Sequence, residues 1–324
     1  MTAKVRTVLG DVEALSLGIT NAHEHIIIKN GLILAQEPDF RLDSVEKGVK
    51  ELQDFASFGG GTVVDTAPLG IGRDPEALRG ISQQSGVKIV AATGFHKTKY
   101  YLDSHWRFRY SVDQIARLLM EEIELGMEQN SYEGPLLQRS EAKAGIIKAA
   151  SGYQSMDPRT EIAFEAAAMA HLKTGAPILT HTEMGTLGLE QLNKLQSHGV
   201  QVRHVVLSHM DRNPDLYLHR EIAQSGAFLE YDGPGRVKYF PESTLVTLIR
   251  GMFEANLGGH ILLGGDNARR SYWKAYGGGP GIAYTLERFV PRLRSEGFTQ
   301  TEIDQILIGN PAKAFALMRP SAHG

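Results

Sequence analysis

At 324 residues the chain is too long for a small stapled domain and suits one large barrel or two medium domains. Its 42% hydrophobic content can fill a sizeable core, and a formal net charge of -3 gives no general pull toward nucleic acid or an anionic membrane. The chain has no cysteine, which excludes disulfides and thiolate metal sites, so any metal must be held by nitrogen and oxygen donors.

The opening MTAKVRTVLGDVEAL lacks an apolar core long enough for a secretory signal, and no uninterrupted apolar stretch approaches membrane-spanning length. A cytoplasmic protein is expected. Apolar residues alternate around Gly10-Asp11, a turn signal that predicts a small N-terminal β-hairpin beneath the main body. Short runs rich in Val, Ile and Leu then predict strands at Ile19–His23, Thr62–Thr66, Lys88–Ala92, Ala144–Lys148, Ile178–His181, His204–Ser208, Ala227–Tyr231 and Ile261–Gly265. They are apolar on both faces, as strands covered on both sides should be.

Amphipathic spacing predicts helices at Ser44–Phe58, Val112–Glu128, Thr160–Lys173, Gly188–His198, Pro214–Ser225, Glu242–Ala255 and Ile282–Glu296. A capped terminal helix follows from Asn310-Pro311. The segments Lys97–Tyr110 and Gln129–Ala142 exceed ordinary connector length and are candidate active-site loops. Strand and helix alternating in this way predict a (β/α)8 TIM barrel forming one domain over residues 1–324. The competing doubly wound sheet would gather its ligand at one switch point, not from strands spread along the chain.

Metal-type side chains stand at the ends of the apolar runs: His23 and His25 in TNAHEH, His181 in ILTHTE, His209 in VVLSHMD and Asp266 in ILLGGD. In an extended strand, residues two apart share a face, so His23 and His25 project together while Glu24 points away. Nitrogen donors of this kind suit Zn, Mn, Co or Ni. Any one of these histidines could be a packed or hydrogen-bonded residue, and Asp266 alone could be a helix N-cap. Their convergence at one barrel mouth makes a ligand cluster. His105, His171, His198, His204, His219, His260 and His323 fall in loops, on helices, at strand starts or at the terminus and receive no metal role. His96 follows the third strand and either faces the mouth or caps a loop.

Lys148 in AGIIKAA is the odd member, because an ammonium cannot ligate a metal. Either it pairs with a carboxylate, or its amine has taken up carbon dioxide to become a carbamate, an anion able to bridge two cations.

HxH after strand one, Lys after strand four, His after strands five and six and Asp after strand eight resemble the amidohydrolase superfamily. More narrowly, TNAHEH, GIIKAA, THTE, GGD and NPAKAF resemble the blocks of the phosphotriesterase family, in order and across nearly the whole chain. The resemblance implies a binuclear hydrolase with two divalent metal ions, zinc first and manganese or cobalt next. His23, His25 and Asp266 would hold the more buried ion, and His181 and His209 the more exposed one. Carboxylated Lys148 would bridge both. A shared hydroxide would be the nucleophile, with Asp266 and Lys148 as the catalytic residues. A homodimer is expected.

Loops choose the substrate in such a barrel. Here GPGRVKYF and NARRSYWKAY are basic and aromatic, and Lys238, Arg269 and Tyr272 resemble the phosphate contacts of the family's sugar-lactonase group. His96 and Lys97 are further candidate substrate contacts. A small phosphorylated sugar lactone is the expected substrate. The alternatives are an organophosphate or acyl-homoserine lactone hydrolase, a one-metal nucleobase deaminase, and a non-catalytic sugar-phosphate binder.

Overall fold

The computed structural model describes residues 3–318; His323 and the outermost residues of the expected 1–324 domain lie outside them. β1 (Lys4–Thr7) and β2 (Gly10–Glu13) form the expected hairpin. Its turn is Val8-Leu9 and not Gly10-Asp11, because Thr7 pairs with Gly10. Gly10 takes φ 120°, a conformation that suits glycine, and its carbonyl accepts from Thr7 Oγ1 at 2.8 Å.

The next eight strands are β3 (Ile19–Glu24), β4 (Gly60–Asp65), β5 (Lys88–Gly94), β6 (Ile146–Ala150), β7 (Ile178–His181), β8 (Val205–Ser208), β9 (Phe228–Tyr231) and β10 (Ile261–Leu263). They lie in chain order in one parallel sheet. Its two edges meet where the N–H groups of Gly265 and Asp266 donate to the His23 carbonyl at 3.1 and 2.9 Å. That contact closes the (β/α)8 barrel and ties the end of the last strand to the first. β6 lies two residues beyond the expected Ala144–Lys148, since its ladder with β7 runs on to Ala150 opposite His181. Lys148 therefore sits mid-strand, not at a strand end.

Inside the barrel Val64, Val90, Ile146, Leu179, Val206 and Leu262 pack in one layer, and Val5, Ala14 and Leu17 of the hairpin region seal it from below. The polar mouth is thus at the opposite end, where the strands finish.

Around the sheet run α1 (Leu32–Gln36), α2 (Val45–Ser57), α3 (Pro75–Ser85), α4 (Val112–Glu124), α5 (Pro158–Thr174), α6 (Gly188–Ser197), α7 (Leu216–Gln224), α8 (Glu242–Glu254) and α9 (Val290–Ser295). α3 was not expected from apolar spacing, yet its limits are written in the chain. Asp74 caps it by accepting from Glu76 and Ala77 N–H, Pro75 opens it, and Gly86 ends it in the left-handed region. α4 stops short of the expected Glu128 because Gly126, at φ 139°, turns the chain away. The expected helix Ile282–Glu296 instead begins as a wide π turn, Thr285–Phe289, before α9. Pro291 has no N–H to continue the normal ladder there. Among the described residues no helix is long and apolar enough to cross a membrane.

Candidate metal centre and substrate cavity

A cavity of about 230 Å³ opens at the mouth, lined by His23, His25, Lys148, His181, His209 and Asp266 on its floor. All six sequence-derived donors therefore meet, as do His96, Lys97, Lys238, Arg269 and Tyr272 on its walls. None of His105, His171, His198, His204, His219 or His260 lines it. The volume falls below the ~300–1,000 Å³ of sites for drug-sized ligands, which favours a compact substrate over a long acyl chain.

His23 is the penultimate residue of β3 and His25 follows the strand, with ring centroids 5.5 Å apart. Asp266 Oδ1 lies 3.9 Å from His23 Nε2 and 3.4 Å from His25 Nε2. The rings of His181 and His209 are 4.5 Å apart, and those of His23 and His209 4.9 Å apart. His209 and Asp266 take φ 66° and 46°, a region that costs a side-chain-bearing residue on the order of 1–3 kcal/mol and clusters at functional sites.

The donors fit a divalent cation. His23, His25 and Asp266 each offer one ligand atom within 4.8 Å of the others, and a second such group joins His23, His209, Glu230 and Asp232. His25 Nδ1 is buried without a partner. Burial, reinforced by neighbouring cations, holds the imidazoles of His23, His96 and His181 well below the usual histidine range. Burial likewise lowers His209 to about 4. Neutral rings are the form that ligates.

These shifts have a measurable consequence. The unfolded histidines titrate near ~6.5, so between that pH and the lower folded values the unfolded chain binds more protons. The contribution of these four histidines to the stability of the metal-free protein therefore falls as pH drops from about 7.5 to about 5.5, while the buried carboxyls of Glu24, Asp65 and Asp211, raised by burial, act in the opposite sense. In an NMR titration of the metal-free protein the four rings are expected to stay neutral down to about pH 5.5, and rings that protonate near ~6.5 would refute it.

Lys148 is buried, and no hydrogen bond or ion pair joins it to a described residue, so the simple ion-pair reading finds no partner. Burial lowers its amine to about 8, against Glu230, Asp266 and Asp232, which push it up.

Four contributors escaped sequence reasoning. Glu230 Oε2 lies 3.0 Å from His23 Nδ1, and Asp232 Oδ2 contacts His209 Nδ1. Arg212 Nη2 donates to Asp232 Oδ1 at 3.0 Å and to Asp266 Oδ2 at 2.7 Å. Arg236, read as one of several loop cations, is buried beneath the rim; its Nη2 donates to the Gly265 carbonyl at 2.7 Å and lies 3.8 Å from Asp266 Oδ2. Burial pushes the Asp266 carboxyl up, but Arg236, the His25 contact and Arg212 outweigh it and hold the group well below the usual range. The signal available in FLEYD was the pair of carboxylates at alternate positions at the end of an otherwise apolar run.

On the walls, Lys238 Nζ donates to Tyr272 Oη at 3.1 Å. The Arg269 guanidinium stacks 4.2 Å from the Phe40 ring and pairs with Glu37. His96 packs 4.9 Å from the His181 ring, and Lys97 pairs with Glu183, which also accepts from His181 Nε2 at 2.7 Å. Other cations of the last loop point elsewhere: Lys274 binds Asp54 and Glu287 at 3.0 and 2.7 Å, and Arg270 stacks on Tyr276. Of the two long loops, 97–110 supplies Lys97, Lys99 and Tyr100 to the cavity. The Gln129–Ala142 segment supplies none; it backs the first loop, with Ser131 O accepting from Trp106 Nε1 at 3.1 Å.

The chain matches the model of the phosphotriesterase family over residues 3–315. A phospho-furanose lactonase of Mycoplasmopsis agalactiae is 40% identical over 98% of this chain and 93% of its own. An amidohydrolase structure from Mycoplasma synoviae superposes with TM-score 0.95 at 36% identity, covering 98% of this chain and 93% of that one. A lactonase structure from Listeria monocytogenes gives 0.90 at 32%, covering 98% and 100%.

Proposed function

The chain belongs to the phosphotriesterase family, and from that premise we propose that it is a binuclear metal-dependent lactonase opening a phosphorylated sugar lactone. The similarity to a phospho-furanose lactonase supports this reading. The observation that carries it is one small cavity in which a floor of metal donors faces a wall bearing Lys238, Tyr272 and Arg269.

His23, His25 and Asp266 would hold one cation and His181 and His209 the other, with carboxylated Lys148 between them. Zinc suits the donor set best, and manganese or cobalt is compatible. When bound, such a pair supplies Lewis acidity and brings the pKa of a water toward ~7. An amine lowered to about 8 is partly neutral near physiological pH, and the neutral form is the one that adds carbon dioxide.

The lactone carbonyl would lie over the floor while its phosphate reaches Lys238, Arg269 and Tyr272, a cation pair with a hydroxyl donor. His96 and Lys97 flank the ring. Asp266 accepts the proton of the attacking water and returns it to the ring oxygen as the carbon–oxygen bond breaks. Arg212 and Arg236 keep that carboxylate ionised and aimed. A phosphorylated substrate does not cross a membrane unaided, which fits a cytoplasmic enzyme.

Lys238→Ala and Arg269→Ala test the assignment. Each is expected to lower kcat/KM for a phosphorylated lactone by about 10–100-fold, the loss of one charge-assisted contact, while changing an unphosphorylated lactone by less than about threefold. Equal losses on both substrates would remove the phosphate site and favour a neutral-lactone hydrolase.

A further inference from the structure

β9 contributes none of the six proposed metal donors, yet two fully buried carboxylates stand at its end. Residues two apart on a strand face the same side, so Glu230 and Asp232 both enter the mouth. Each meets the Nδ1 of a histidine assigned to a different cation. Glu230 Oε2 is 3.0 Å from His23 Nδ1, and Asp232 Oδ2 touches His209 Nδ1. His23 consequently turns its Nε2 toward Asp266 Oδ1, 3.9 Å away.

The surroundings hold both carboxylates in place. A Cβ at Gly264 would collide with Glu230 Oε1 and come within 2.7 Å of His23 Cβ, so only glycine leaves room for this pair on the neighbouring strand. Asp232 receives Arg212 Nη2 at 3.0 Å, and its own N–H donates to Asp211 Oδ1 at 3.1 Å.

We propose that Glu230 and Asp232 are positioning residues for metal binding: each accepts the Nδ1–H of one imidazole and fixes the tautomer whose Nε2 faces a cation. The inference rests on the metal-dependent reading above. One rigid strand then orients a ligand of each ion, which couples the two halves of the centre through the period of a single strand.

The test is a zinc titration of metal-free protein against a competing chromophoric chelator. Glu230→Leu is expected to weaken one of the two zinc-binding steps by about 10–100-fold and leave the other within about threefold. Glu230→Gln keeps an acceptor oxygen and is expected to bind both ions nearly as the wild type does. Asp232→Leu should weaken the other step, and Asp232→Asn should spare it. A carboxylate serving structure alone would change the metal-free Tm of the Leu variant without moving zinc affinity.

Wild-type affinity at both steps in Glu230→Leu overturns the proposal, as does a loss in Glu230→Gln as deep as in Glu230→Leu. If the Leu variants do not fold, the amide variants decide: retained affinity supports orientation through an acceptor oxygen, and lost affinity overturns it. A wild-type protein that binds no zinc overturns the metal-dependent reading itself, and this inference with it.

Discussion

Lys148→Met is expected to lower kcat/KM by at least ~10³-fold, equivalent to about 4 kcal/mol of transition-state stabilisation. Zinc content should fall to one ion or none per chain. Methionine matches the length of the lysine stem but carries no amine, so it cannot form a carbamate. The side chain is buried in mid-β6 and makes no ion pair whose loss would confuse the result. Replacing a desolvated amine by an apolar chain should leave the metal-free Tm unchanged or raise it. Activity and metal content would therefore fall without a fall in stability. A companion measurement is the recovery of wild-type activity when metal-free protein is reloaded with zinc. Recovery is expected to slow in buffer depleted of carbon dioxide and to quicken with bicarbonate. Two ions and full activity in Lys148→Met would eliminate the bridging role, and full activity with a single ion would favour a one-metal hydrolase.

Asp266→Asn is expected to lower kcat by ~10²–10⁴-fold, the usual range for a positioned acid–base group. An asparagine keeps an oxygen at the position facing His25 but cannot accept and return a proton. It also leaves Arg212 and Arg236 facing a neutral amide where each now faces a carboxylate. The two losses separate experimentally. If proton transfer is the main role, kcat falls even in samples that zinc analysis finds fully loaded. If the carboxylate chiefly anchors the arginines, Tm falls and kcat of the loaded protein changes by less than about tenfold. The second outcome would move the proton-carrying role to another group.

The proposed ligands were legible because each ends an apolar run or lies within one, and the order of those runs implies the barrel that gathers them. His181 and His209 illustrate the point: His181 is the last residue of the buried strand ILTH and His209 the first residue after the buried strand VVLS, and both reach the mouth. Lys148 was legible only through the donors around it and the resemblance, since an amine in an apolar strand argues by itself for an ion pair. The structure leaves that amine without such a partner. Among the cations of the last loop, composition alone makes Arg269, Arg270 and Lys274 equivalent, and only the resemblance singled out Arg269. Lys274 is drawn off by Asp54, 220 residues away in the chain, and of the three only Arg269 lines the cavity.

Glu230 and Asp232 were missed for the same kind of reason. His23 and Glu230 are 207 residues apart, and nothing local to FLEYD announces a histidine across the barrel. α3 is a different failure. Its Asp74 cap and Gly86 stop are local and readable, but its buried apolar positions are few, so spacing alone passed over it.

By itself the sequence determined the alternation of strand and helix, the barrel that follows from it, and the donors carried to its mouth. Those features depend on neighbours along the chain, through apolar runs, caps and the period of a strand. Only the tertiary structure decided which charges meet: Arg212 with Asp266, Glu230 with His23, Lys238 with Tyr272, and Lys148 with none. Such pairings depend on distance in space between segments far apart in sequence, and that distance exists only once the barrel has closed.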